Sequence, residues 1–200
     1  MHEVPNTAAI ILAAGASTRL GQPKQLATLN GETLLGRAVR IARETGCAPV
    51  LVVLGSERDP ILAEIARGAL GDVSPVINDR WQEGMATSIF FGVRALGFVA
   101  KQARGAILMT CDQPAITPEH LRALTASGDL TASEYAGRRG VPAYFPASYF
   151  AALTQLTGDS GARDLLHTAR VIPLPLGELD IDTPETLAEA QRLFGHTSTN

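Results

Sequence analysis

Val50-Leu51-Val52-Val53-Leu54 is an unbroken apolar run with no polar residue to turn toward water on either side. Such a run marks a strand buried on both faces, the kind found inside a parallel sheet covered above and below. Ala8–Leu12 and Ala106–Cys111 read as buried strands too, and Ser74–Ile77 as a shorter one. Between them the period changes. Thr33–Thr45 places Leu34, Leu35, Ala38, Val39 and Ala42 at helical spacing. Pro60–Leu70 reads as a helix with Pro60 at its first position and Ile61, Leu62, Ile65 and Ala66 inward, followed by helices at Ala86–Leu96 and Pro118–Thr125, the last capped by Thr117. This alternation predicts a Rossmann-like three-layer α/β/α fold around a mostly parallel, twisted sheet with right-handed crossovers.

The second half is less regular. Leu130–Ala136 and Pro142–Phe145 are expected as strands flanking Gly137-Arg138-Arg139-Gly140. Ser148–Leu156, Ala162–His167 and Pro184–Leu193 are expected as helices, and residues 1–6 and 195–200 as flexible tails. The 200 residues suffice for one sizeable core, and no repeat or linker divides them, so a single domain over residues 1–200 is expected.

Ligands of parallel sheets bind at the carboxyl ends of the strands. The first strand runs into Leu12-Ala13-Ala14-Gly15-Ala16-Ser17-Thr18-Arg19-Leu20-Gly21-Gln22-Pro23-Lys24. Small residues there let backbone N–H groups approach a ligand, and Arg19 and Lys24 add fixed charge, a combination suited to a polyphosphate. The Walker pattern fails because Lys24 does not directly follow Gly21, and G-x-G-x-x-G is absent. Asp112, directly after the strand that ends at Cys111, points out at the same edge, where a carboxylate can hold Mg²⁺ or simply shape the turn before Pro114. Asp180 and Asp182 alternate along an extended segment and can share one side, or Asp182 and Thr183 can cap the helix at Pro184. Gly84, Thr87 and Ser88 open a helix whose N–H groups and hydroxyls can read a base or ribose, and Trp81 just before them either flanks the ligand or packs in the core.

The chain is 46% hydrophobic and 18% charged, as a folded globular protein is, and its net charge of −3 gives no footprint for nucleic acid. No membrane span or leader is legible, and the two cysteines, Cys47 and Cys111, show no metal or redox spacing, so a cytoplasmic setting is expected. None of the four histidines has a partner pattern for acid–base work.

The motif L-A-A-G-x-S-x-R-x-G-x-P-K, followed by N-x-x-W-x-x-G-M, C-D-Q-P, G-D-x-G-A-R and D-I-D-T-P-E, resembles the MobA-like nucleotidyltransferases, within them the molybdenum cofactor cytidylyltransferase branch. The resemblance spans nearly the whole chain. It implies the nucleotide-diphospho-sugar transferase fold, related to GT-A enzymes, and transfer of a nucleoside monophosphate from an NTP to a phosphorylated acceptor with release of pyrophosphate. It implies Arg19 and Lys24 as catalytic cations, Leu12, Ala13, Ala14, Gly15, Gly84, Met85, Thr87 and Ser88 around the nucleotide, and Mg²⁺ on Asp112 and Asp182, with Asp180 as a structural or water-mediated partner. Arg163 either binds the acceptor or pairs with Asp159. Ala14 favours CTP, since the guanylyl branch carries Ala-Gly-Gly at this point; molybdopterin cofactor is then the expected acceptor and a molybdoenzyme the recipient of the product. Val141 departs from the polar residue usual in that position. The alternatives are a sugar 1-phosphate or other small acceptor, and a non-catalytic protein that binds the cofactor.

Overall fold

The structure is a computed structural model and describes residues 6–159 and 161–195. Most of the two segments expected as flexible tails lies outside the described residues. In chain order the elements are β1 (Thr7–Ala13), β2 (Thr28–Leu29), β3 (Glu32–Thr33), α1 (Leu34–Glu44), β4 (Val50–Leu54), α2 (Arg58–Ala66), β5 (Ser74–Ile77) and α3 (Met85–Val99). They continue with β6 (Gly105–Thr110), α4 (Pro118–Thr125), β7 (Thr131–Tyr135), β8 (Arg138–Pro146), α5 (Phe150–Leu153), β9 (Arg170–Pro173) and α6 (Pro184–Phe194).

Seven strands form one sheet in the order β5-β4-β1-β6-β8-β7-β9. β1 pairs in parallel with β4 on one side and β6 on the other, whereas β8 runs antiparallel to both β6 and β7. The strand periodicity of two divides β1 between two cores. Ala9, Ile11 and Ala13 pack with Leu35 and Val39 of α1, Ile61 of α2 and Leu121 and Leu124 of α4. Ala8, Ile10 and Leu12 pack with Ile89, Val93 and Leu96 of α3 and Leu153 of α5. The expected three-layer architecture follows directly from strands that are apolar on both faces.

A third cluster matters most for the site. Leu20, Ala27, Leu29 and Leu34 bury against Ile181 and Ala190, clamping the segment before α6 onto the loop after β1. Thr183 caps α6 by accepting from Thr186 N at 3.2 Å, and Thr117 caps α4 by accepting from His120 N at 3.2 Å.

Several expectations shift. α2 begins at Arg58, so Pro60 stands third rather than first; Glu57, with φ of 55°, turns the chain earlier, and an imide at that position still removes only an N–H that has no helical partner. Only a 3₁₀ turn and the single turn α5 form within Ser148–Leu156, and a 3₁₀ turn, Arg163–Leu166, replaces the helix expected at Ala162–His167. Segments this short make few i→i−4 bonds, and apolar spacing alone does not separate the two helix types. β9 and the β2–β3 hairpin were not expected; β9 is a four-residue edge strand that ends in Pro173. Among the described residues, no helix is long and apolar enough to cross a membrane.

Candidate active site

β1 and β6 are neighbours in register, with Leu12 beside Thr110. The loop after β1 and Asp112 after β6 therefore emerge at one edge of the sheet, as the sequence suggested. Gln25 fixes the loop from beneath: its fully buried side chain donates to Ala13 O at 2.8 Å and to Gly15 O at 3.3 Å. Ser17 Oγ accepts from Lys24 N at 2.7 Å and brings the far end of the loop back over its start. A Cβ placed on Gly15 would meet nothing within 4 Å, so the bare backbone at this point borders open space rather than a packed neighbour.

Lys24 is the hub of the site. Its Nζ lies 2.5 Å from Asp112 Oδ2 and 2.8 Å from Asp182 Oδ1, while Arg19 Nη2 reaches Asp182 Oδ2 at 2.8 Å. The side chain of Lys24 is only 18% exposed and that of Asp112 11%, so the pair is largely shielded from solvent screening. Withdrawal from water disfavours the ammonium, but Asp112 and Asp182 overcome that and hold its pKa above the ordinary lysine value. Asp182 shows the complementary balance: partial burial acts to raise its pKa, and contacts with Lys24 and Arg19 bring it below the ordinary carboxylate value. Asp182 reaches this position because buried Ile181 anchors its segment and donates its N–H to Asp112 O at 2.9 Å. Asp180 makes none of these contacts. Partial withdrawal from water and the charges of Asp112 and Asp182 push its carboxyl up to about 7.

Asp112 and Asp182 thus converge from separate segments on one small cation. Two hard carboxylates that leave room for phosphate oxygens suit Mg²⁺ or Mn²⁺, which are normally held by one or two carboxylates together with substrate phosphates. Among the described residues no third acidic, histidine or cysteine side chain completes an all-protein metal cage.

A cavity beside the hub is lined by Leu12, Ala13, Ala14, Gly15, Lys24, Trp81, Gly84, Met85, Ser88 and Asp112. Trp81 lines this cavity and also packs against the core cluster beneath α3. Gly84, with φ of 108°, is required as glycine: a Cβ there would stand 2.5 Å from Gly158 O. Ala86 N donates to that same carbonyl at 3.1 Å, and Asp159 Oδ1 accepts from Met85 N at 3.2 Å. The Gly158–Asp159 turn thereby closes the N-terminus of α3, and Asp159 is spent on a backbone N–H rather than on Arg163.

Thr87, expected to read the nucleotide beside Ser88, stands behind the residues that line this cavity. Its hydroxyl donates to Gly84 O at 2.9 Å, inside the first turn of its own helix. Asn78 opens the N-x-x-W-x-x-G-M motif, but nothing in the sequence assigned it a role of its own. It is fully buried, donates from Nδ2 to Thr87 Oγ1 and Ser88 Oγ at 2.9 Å each, and accepts from Arg80 N at 2.9 Å. Its place at the head of that motif, directly after β5, was the available signal.

Arg163 lies on the far side of the hub, in a second, wider cavity of about 530 Å³ that also holds Arg19, Tyr135, Arg138, Val141 and Asp180. The two cavities share Lys24, Met85, Thr110, Asp112 and Asp159, so Lys24 and Asp112 stand at the junction of one continuous cleft. Both cysteines are buried, and burial pushes each thiol up to about 12, which leaves them without thiolate chemistry near neutral pH.

A MobA-like NTP transferase domain model matches residues 9–172. The chain belongs to this family and is a nucleotidyltransferase. It is 31% identical to the purine catabolism protein PucB of Bacillus subtilis (strain 168) over 198 residues, covering 90% of this chain and 94% of PucB. A solved nucleotidyl transferase from Methanothermobacter thermautotroptrophicus superposes with a TM-score of 0.79 at 25% identity, covering 97% of this chain and 100% of that one. Rv0371c of Mycobacterium tuberculosis H37Rv in complex with manganese superposes with a TM-score of 0.74 at 27% identity, covering 94% and 98%.

Proposed function

We propose that the protein is a cytidylyltransferase that moves CMP from CTP to the phosphate of molybdopterin cofactor, releases pyrophosphate and uses Mg²⁺. The observation that carries this reading is the convergence of Lys24, Asp112 and Asp182 at the junction of two cavities, one beside the bare loop after β1 and one beside Arg163. The Ala13-Ala14-Gly15 form of the loop, rather than Ala-Gly-Gly, supports cytidine.

In this reading the triphosphate lies along the backbone of Ala13 to Gly15, and Gly84, Met85 and Ser88 face the base and ribose. An oxygen of the acceptor phosphate forms a bond to the α-phosphorus as the bond from that phosphorus to the bridging oxygen breaks, and the electron pair departs with pyrophosphate. Such transfer depends on alignment and charge neutralisation more than on covalent help from the protein. Lys24 and Arg19 balance charge as it moves to the leaving oxygens. An acceptor phosphate monoester is already an anion, so no base has to remove a proton, in keeping with a cleft in which no histidine was expected to act. Asp112 and Asp182 would hold the metal, which when bound supplies Lewis-acid neutralisation of phosphate oxygens. Manganese in the Rv0371c structure supports a divalent ion on this fold. Arg163 contacts the acceptor, and a molybdoenzyme receives the product.

Pyrophosphate release is to be measured with CTP, GTP, ATP and UTP, each with molybdopterin cofactor, with glucose 1-phosphate and with no acceptor. Release that requires both CTP and molybdopterin cofactor is expected. Preference for GTP, or for the sugar phosphate, would reassign the substrate.

A further inference from the structure

The wall of the wider cavity carries charge that the transfer step does not use. β7 and β8 are joined through Ala136 and Gly137, with φ of 47° and 69°. Two left-handed residues in succession make the tight hairpin turn whose twist matches that of the strands. The turn sets Arg138 at the start of β8, with its guanidinium 5.5 Å from the centre of the Tyr135 ring. Tyr135 is itself held, because its hydroxyl donates to Val141 O at 3.0 Å. Burial raises the Tyr135 phenol pKa, the contact with Gln113 lowers it, and the charge of Asp180 opposes those of Arg138 and Arg163, so both cations lie within reach of one phenol.

Two acidic groups of this cleft are committed elsewhere, and a third, Asp180, lines the cavity without an ion pair to either arginine. Asp182 serves Lys24 and Arg19, and Asp159 serves Met85 N. Among the described residues, no ion pair joins Arg138 or Arg163 to a carboxylate, whereas Arg40, Arg58, Arg67 and Arg80 on the outer surface all have one. Two guanidiniums in a cavity of about 530 Å³, neither held in an ion pair, can together receive an anion that outcompetes the more distant charge of Asp180.

We propose that Arg138 and Arg163 form a second anion subsite, which holds a negatively charged group of the acceptor distant from its reacting phosphate. The acceptor is then an elongated molecule charged at two places, not a phosphorylated neutral sugar. This inference rests on the transfer reading for the word acceptor, but the subsite itself is testable without turnover.

The test is calorimetric titration of the full chain, saturated with Mg²⁺ and a non-hydrolysable α,β-methylene CTP or GTP, using two probes. Glycerol 2-phosphate carries one anionic group, and butane-1,4-diol bisphosphate carries two, one at each end of its chain. The bisphosphate is expected to bind at least about tenfold more tightly. Arg138→Ala and Arg163→Ala should each remove most of that preference while keeping nucleotide affinity, and Arg67→Ala, outside the cleft, should leave it intact. Equal binding of the two probes to the unmodified chain, or a preference that survives both cleft substitutions, overturns the subsite. The failure of the transfer reading looks different: no pyrophosphate from any acceptor, with the preference for two charges still present.

Discussion

Lys24 Nζ stands 2.5 Å from Asp112 Oδ2, across 88 residues of sequence, and the same nitrogen reaches Asp182. One ammonium therefore holds together the loop after β1, the end of β6 and the segment that leads into α6. It sits where two carboxylates would otherwise face each other unneutralised.

Lys24→Ala removes that neutralisation twice over. Loss of a preorganised charge at a reacting phosphate is expected to lower kcat/KM by about 10²–10³-fold. Asp112 and Asp182 are also left to repel each other, so the thermal midpoint should fall without divalent metal and recover on adding Mg²⁺ by a larger increment than in the unmodified chain. Scanning fluorimetry with and without Mg²⁺ measures this, and equal increments in both proteins would contradict it.

Asn78→Ala leaves the Arg80 N–H without its acceptor, and Thr87 and the buried Ser88 hydroxyl without their shared donor. Orphaned buried polar groups cost about 1–3 kcal/mol, which urea denaturation resolves. Since Ser88 lines the cavity proposed to take the nucleotide, KM for the nucleotide should rise more than kcat falls.

Gly92→Ala sets two effects against each other. Alanine favours an exposed helix interior over glycine by about 1 kcal/mol. Here, however, the new Cβ would lie 2.6 Å from Ile10 Cγ2 and 3.2 Å from Val53 Cγ2, where α3 crosses the sheet. Overpacking of about 1–3 kcal/mol wins, so the variant should be less stable; a rise in the urea midpoint would show that α3 can move away.

His120 gives the pH dependence its sign. Burial lowers its pKa from 6.5 to about 4, and its Nε2 lies 2.7 Å from Ser133 Oγ, whose own proton goes to Pro142 O at 2.6 Å. The native ring stays neutral where the unfolded chain takes up a proton. Its contribution to stability is therefore complete above pH 6.5, declines as pH falls, and levels off below about 4. Urea midpoints of the unmodified chain and of His120→Gln should converge between pH 7 and pH 4.5; a constant difference would place the proton elsewhere.

The strands beneath the site were legible because their chemistry is local. Val50–Leu54 and Ser74–Ile77 have the bounds that their apolar runs suggested, and Thr117 caps α4 as its side chain predicts. The loop after β1 and Asp112 were legible as site elements because parallel strands end at one edge. The contacts of Asp182 were less so: its place beside Lys24 depends on Ile181 burying against Leu20 and Leu34, a packing choice that spacing does not encode. Arg138 was hidden for a different reason. Gly137-Arg138-Arg139-Gly140 reads as a turn, and only the hairpin geometry shows that it faces the cleft. β9 escaped because four residues ending in proline carry too little pattern to separate an edge strand from a loop.

The most direct measurement follows the label from [α-³²P]CTP in the presence of Mg²⁺ and molybdopterin cofactor. In the unmodified protein the label is expected to move into the acceptor with release of unlabelled pyrophosphate, and both are expected to be lost in Asp112→Asn. Label that stays with CTP or free CMP, with this and every other nucleotide tried, would contradict the proposed transfer.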